Sequence, residues 1–260
     1  MDVVTSVVKF NAQVSGRDKV CRFFQYGCKF TSWSLRRLER DEEFILKTKN
    51  LENALSATRK LLRFGKSVDL IQESLKTIHL SDIFLRVTIT LSKLNTAIYL
   101  LVDHALWAEK VGLVELDKKY YRNLSARFWL ATLILSLARD FYEIIVMVKN
   151  MSRLQNMKKD ENEIRSCVHN SGTAGQNEPN GFIVSQLLDQ GDFKLNLVPK
   201  CLQHNYPVAL DTLKNGADIF LPLSSLGYLR LSSGLQGILG MISSVVGIMT
   251  VWDGRYKLKP

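Results

Sequence analysis

The sequence predicts an all-α membrane protein, with an N-terminal amphipathic helical block, a flexible polar linker and a C-terminal transmembrane helix. Three observations carry this. Apolar residues recur at a spacing near 3.6 over most of the chain, with few alternating runs. Leu231 to Trp252 contains no charged residue. Residues 150–192 turn abruptly polar between two apolar blocks. The division that follows is 1–149, 150–192 and 193–260.

The first block carries the amphipathic pattern. With Arg17 to Leu38 as a helix, Val20, Phe23, Phe24, Gly27, Cys28, Thr31, Leu35 and Leu38 gather on one side, while Arg22, Lys29 and Arg36 line the other. Leu51 to Gly65 repeats the arrangement, with Leu51, Ala54, Leu55, Leu61 and Leu62 on one face. Arg59, Lys60, Arg63 and Lys66 take the flank and the opposite face. A bulky apolar face opposed by cations suits a helix lying in the headgroups of an anionic leaflet, where it wedges the leaflet apart. The same pattern also suits a bundle helix, its apolar side on neighbours and its charges in water.

Two stretches further along have the length of a span but carry charge. Ile83 to Trp107 holds Arg86, Lys93 and Asp103, so it spans only if those side chains find partners. Phe128 to Ala138 is uncharged for too short a distance before Arg139, Asp140 and Glu143. Residues 150–192, with Lys158 to Glu163 and His169 to Gly181, hold too little apolar material to offset ordering entropy and read as the linker.

The last block holds the strongest signal. The uncharged run of about 22 residues rises roughly 33 Å as a helix, against a hydrocarbon core of about 30 Å. Trp252 sits at its boundary, and Arg255, Lys257 and Lys259 follow as a basic tail of the kind found on the cytosolic side. Ser233, Gly237, Gly240, Ser244 and Gly247 recur at intervals of 4, 3, 4 and 3, one narrow stripe that admits another helix backbone. That helix belongs either to a second copy or to the same chain.

Chemistry is not indicated. Four cysteines lack metal-ligand spacing, four histidines are scattered, and Gly234 to Gly240 precedes an apolar helix without the Lys-Ser/Thr pair of a phosphate loop. No catalytic, cofactor or metal site is expected. The 35 basic and 25 acidic residues give a formal charge of +10. Residues 1–66 hold 14 and 7, hence +7; 67–230 hold 18 and 17, hence +1; 231–260 hold 3 and 1, hence +2. Excess charge concentrated in the amphipathic helices, with most of the remainder in the tail, fits an anionic phospholipid surface better than a nucleic acid.

Short motifs in a fixed order resemble the peroxin-11 family of peroxisomal membrane biogenesis proteins, in particular its animal alpha/beta branch. They run through Gly16-Arg17-Asp18-Lys19, Gln25-Tyr26, Arg59 to Gly65, His79-Leu80-Ser81-Asp82, Leu94 to Tyr99, Asp103 and Leu106-Trp107. Further matches are Arg139 to Ile144, Asp211, Asp218-Ile219, Pro222-Leu223, Leu226-Gly227, Gly237, Gly240, Ser243-Ser244 and Lys257-Leu258-Lys259. The linker does not match. The resemblance implies a non-enzymatic protein of the peroxisomal membrane that elongates the organelle before fission by inserting amphipathic helices and forming homo-oligomers. It implies further partners: a tail-anchored fission adaptor, a dynamin-related GTPase and the import receptor for peroxisomal membrane proteins. It places Arg59, Lys60, Leu61, Leu62, Arg63 and Lys66 in the membrane-active region. A second role raised for the family is a pore for small metabolites, which would use Arg86, Lys93 or Asp103 as lining groups.

Overall fold

A computed structural model describes residues 3–39, 41–170 and 197–258, with the backbone alone over 158–170. Nine α-helices and a terminal 3-10 turn account for nearly all of these residues, and no strand occurs among them. In order they are α1 (Val3–Ala12), α2 (Val14–Arg37), α3 (Glu42–Leu62), α4 (Lys66–Thr77), α5 (Ile83–Lys110), α6 (Lys118–Asn170), α7 (Val198–His204), α8 (Tyr206–Ser225) and α9 (Ser233–Trp252), with the turn at Gly254–Tyr256. Residues 150–170 of the segment read as a linker continue α6, and the remainder of it, to 192, lies outside the described residues.

Local chemistry sets the helix boundaries. Asp41, Asp82 and Ser232 stand in non-helical backbone and accept the first free amides of α3, α5 and α9 through their side chains. Gly65, at φ 80°, turns the chain sharply from α3 into α4, a conformation that would strain any side chain with a Cβ. Pro222 is fully buried inside α8.

Two compact units result. Met1–Asp140 with Ala209–Pro260 form the larger, and Phe141–Val208 the smaller. In the smaller, Val148, Leu197, Cys201 and Val208 are buried, and the Cys201 thiol lies 3.6 Å from the Met151 sulfur. In the larger, α2 packs on α9 and α3, and α4 packs on α5. Two of its helices have the length and apolar composition of a membrane span, α9 and the charged α5.

Candidate membrane interface and the charged seam behind it

The small-residue stripe of α9 is occupied by α2 of the same chain. The two helices run antiparallel, for Gly234, Gly237, Gly240 and Gly247 meet Trp33, Phe30, Tyr26 and Lys19 in reverse order. A Cβ on Gly240 would sit 2.2 Å from the Tyr26 ring, and one on Gly237 2.9 Å from the Phe30 amide nitrogen. Only glycine permits backbones this close. Ser243 and Ser244 are wholly buried alongside, and the Ser244 hydroxyl donates to the Gly240 carbonyl at 2.6 Å. Ser233, by contrast, is exposed at the start of α9, and Gly234 takes its place in the seam.

Most of the cations read as membrane-facing turn inward. Arg22 is 6% exposed and donates to Asp218 of α8 at 2.5 Å. Arg59 donates to Asp18 at 3.1 Å and to Gln25 at 2.7 Å. Arg63 reaches both Asp103, at 2.8 Å, and Asp18, at 3.6 Å, while Lys60 meets Asp103 at 2.9 Å. Burial disfavours ionisation of Asp18, but Arg59, Lys19 and Arg63 outweigh it and hold the carboxyl below its usual range. Lys29 is half-buried and donates to Gln236 at 2.6 Å, and Lys66 donates to Ser15 at 3.2 Å. Phe23 and Leu62 are half-buried, whereas Phe24, Arg36 and Leu61 face outward.

These pairs provide partners for two of the three charged side chains at 86, 93 and 103 in α5. Asp103 is neutralised by α3, and Lys93 pairs with Glu73 of α4 at 3.2 Å. A second network links Arg139 to Asp140 and Asp211, with Asn215 donating to Asp140 at 2.9 Å and Lys214 pairing with Asp211. Burial, reinforced by nearby Asp211, raises the Asp140 carboxyl above its ordinary value.

Lys19 stands apart from the ion-paired arginines. It has no carboxylate within ion-pairing distance, and its stem lies against Gly247. Burial, then repulsion from Arg22, lowers its pKa from 10.5 to about 7 despite Asp18 and Asp218 nearby. The unfolded chain therefore holds this proton over a range where the folded protein has released it, so stability should rise with pH between about pH 7 and about pH 10. Melting temperatures of the detergent-solubilised protein across that window test this. Lys19→Met should flatten the slope relative to wild type, and parallel slopes would refute the assignment.

The outward surface is apolar on α4, α5 and α9. In α4 the buried side chains are Ser67, Ser74 and Thr77, while Val68, Ile71, Leu75 and Ile78 just beyond its end are exposed. Their spacing of 3, 4 and 3 makes one stripe. On α5, Phe84, Val87, Leu91, Leu94, Ile98 and Leu101 are exposed at the same alternation, and α9 presents Leu235, Ile238, Ile242, Val245, Met249 and Trp252. Such continuous apolar faces are out of place in water and fit hydrocarbon. The α4 stripe was readable from its spacing; the counterions Asp18, Asp103 and Asp218 were not, since they lie far from their partners in sequence.

Residues 4–252 match the family model of Peroxisomal biogenesis factor 11 (PEX11). The chain belongs to the Peroxisomal biogenesis factor 11 family. Peroxisomal membrane protein 11B of Homo sapiens is 34% identical over 256 residues, covering 97% of this chain and 98% of that one. Peroxisomal membrane protein 11A of Homo sapiens is 34% identical over 260 residues, covering 100% and 99%. The Peroxisomal membrane protein 11 homolog of Dictyostelium discoideum is 24% identical over 251 residues, covering 95% and 93%. No solved structure matches. Membership makes this a non-enzymatic peroxisome biogenesis factor of the peroxisomal membrane. The match begins in α1 and ends with the last residue of α9, so it takes in the seam, the ion-pair networks and both candidate spans.

Proposed function

We propose that the protein promotes peroxisome elongation and fission by wedging the cytosolic leaflet with α4 while α5 and α9 hold it in the bilayer. The carrying observation is the inverted amphipathicity of α4: small polar residues inward on α5, and Val68, Ile71, Leu75 and Ile78 outward. A helix so arranged, joined at Gly65 and adjoining the apolar face of a span, lies naturally at the headgroup boundary. The outward Phe24, Arg36 and Leu61 extend the contact to α2 and α3. Homo-oligomerisation and recruitment of a tail-anchored fission adaptor and a dynamin-related GTPase belong to the same proposal on the strength of the family resemblance. Because α2 fills the glycine seam, self-association would use other apolar faces or require the two helices to part.

The test is electron microscopy of anionic liposomes carrying the full-length protein. Val68→Asp with Leu75→Asp should abolish tubulation while leaving helicity and melting temperature near wild type, because both side chains are exposed. Tubulation at wild-type levels by this variant would exclude α4 as the wedge.

A further inference from the structure

Within the larger unit, α1, α2, α4, α5, α6, α8, the end of α9 and the chain after it line an open cleft of about 1020 Å³. Eight basic and three acidic side chains line it, a formal excess of five. The three carboxylates are already engaged: Glu73 by Lys93, Asp211 by Arg139 and Lys214, and Asp253 by Arg255. Four amines remain without a carboxylate, those of Lys9, Lys19, Lys66 and Lys257. They come from four separate segments, so the fold, and no single basic run, brings them together. Lys19 and Lys66 are partly enclosed, and Lys9 and Lys257 stand exposed.

We propose that this cavity binds a compact polyanion bearing two or more phosphate groups, either the headgroup of a phosphorylated lipid or a soluble phosphate ester. Ammonium groups converging on one cleft focus a positive potential that a multivalent phosphate satisfies. The volume lies at the upper end of ordinary ligand sites and accommodates a phosphorylated ring with water. One wall is formed by Phe10 and Trp252, with ring centroids 5.5 Å apart, at the end of α9. A headgroup held there would keep its acyl chains in the leaflet beside the span. Lys19 supports the reading, because a phosphate beside it would restore the proton that burial and Arg22 dislodge, against a background of Asp18, Lys214 and Asp218. The site takes Lys66 and Glu73 from α4 but none of that helix's outward apolar side chains, so it does not rest on the wedge.

The experiment measures binding by the full-length protein in zwitterionic nanodiscs. One arm titrates soluble inositol trisphosphate; the other compares nanodiscs with and without phosphatidylinositol bisphosphate, read by protection against thermal unfolding. Lys9→Gln with Lys66→Gln and Lys257→Gln should weaken binding about tenfold or more. Lys47→Gln with Lys49→Gln and Lys118→Gln, an equal loss of charge outside the cavity, should leave it within about twofold. Lys19→Met, tested separately, should weaken it as well. Binding in the soluble arm assigns a free phosphate ester, and binding in the lipid arm alone assigns a headgroup; either supports the site. No binding in both arms, or equal weakening by the cavity and control variants, overturns it.

Discussion

Gly240→Ala is expected to destabilise the protein by about 3 kcal/mol, the upper end for forcing a methyl into a packed core, and Gly240→Leu to prevent folding. The added carbon would lie 2.2 Å from the Tyr26 ring, which is itself held between α2 and α9. Retreat of the ring would open the seam that also contains Gly237 and Phe30, where backbone faces backbone. Gly216→Ala in α8 is the control. It gives the same gain in helix propensity, about 1 kcal/mol, at a position where a Cβ meets nothing within 4 Å, so it should be neutral or stabilising. Thermal unfolding in detergent reads both, and a Gly240→Ala protein that melts with wild type would mean that α2 and α9 do not pack through this seam. The comparison also bears on self-association: loss of oligomers in a leucine variant would reflect loss of the fold before loss of an interface.

Breaking the pairs behind the amphipathic face should be as damaging. Asp103→Ala leaves Lys60 and Arg63 without their shared carboxylate, and removing one partner of a buried pair costs about 3–5 kcal/mol. Arg63→Glu should be worse, since the new carboxylate would stand between Asp18 and Asp103. Arg36→Glu, outward on α2, should change stability by less than about 0.5 kcal/mol. It should nonetheless weaken binding to anionic vesicles by about 1 kcal/mol or more. Melting curves and vesicle co-sedimentation of the three proteins separate the roles. If Arg63→Glu kept the wild-type melting temperature and lost only vesicle binding, Arg63 would be a headgroup ligand and not an interior counterion.

The contrast between Arg36 and Arg63 shows where sequence reasoning ends. Both were placed on the polar side of an amphipathic helix, and periodicity treats them alike. One lies in solvent and the other joins two carboxylates, because Asp18 precedes it by one helix and Asp103 follows it by two. Similarly, the glycine spacing of α9 announced a close approach by some helix. That the helix is α2, and that Gly234 and not Ser233 completes the contact, depended on how the chain returns on itself. The α4 stripe differs: its 3-4 spacing is present in the sequence, but spacing alone does not say that the apolar side faces outward and the small polar side inward.

By itself the sequence determined the all-helical class, the length of the C-terminal span, the concentration of positive charge near the N-terminus and the family. Each follows from local periodicity, composition or ordered motifs, which exist before the chain folds. Tertiary structure alone decided which cations face outward, which carboxylates pair with Lys60, Arg63 and Lys93, what fills the glycine seam and where unpaired amines converge. Those outcomes depend on desolvation and on separations of a few ångströms between residues far apart in the chain, and neither quantity is defined until the helices have packed.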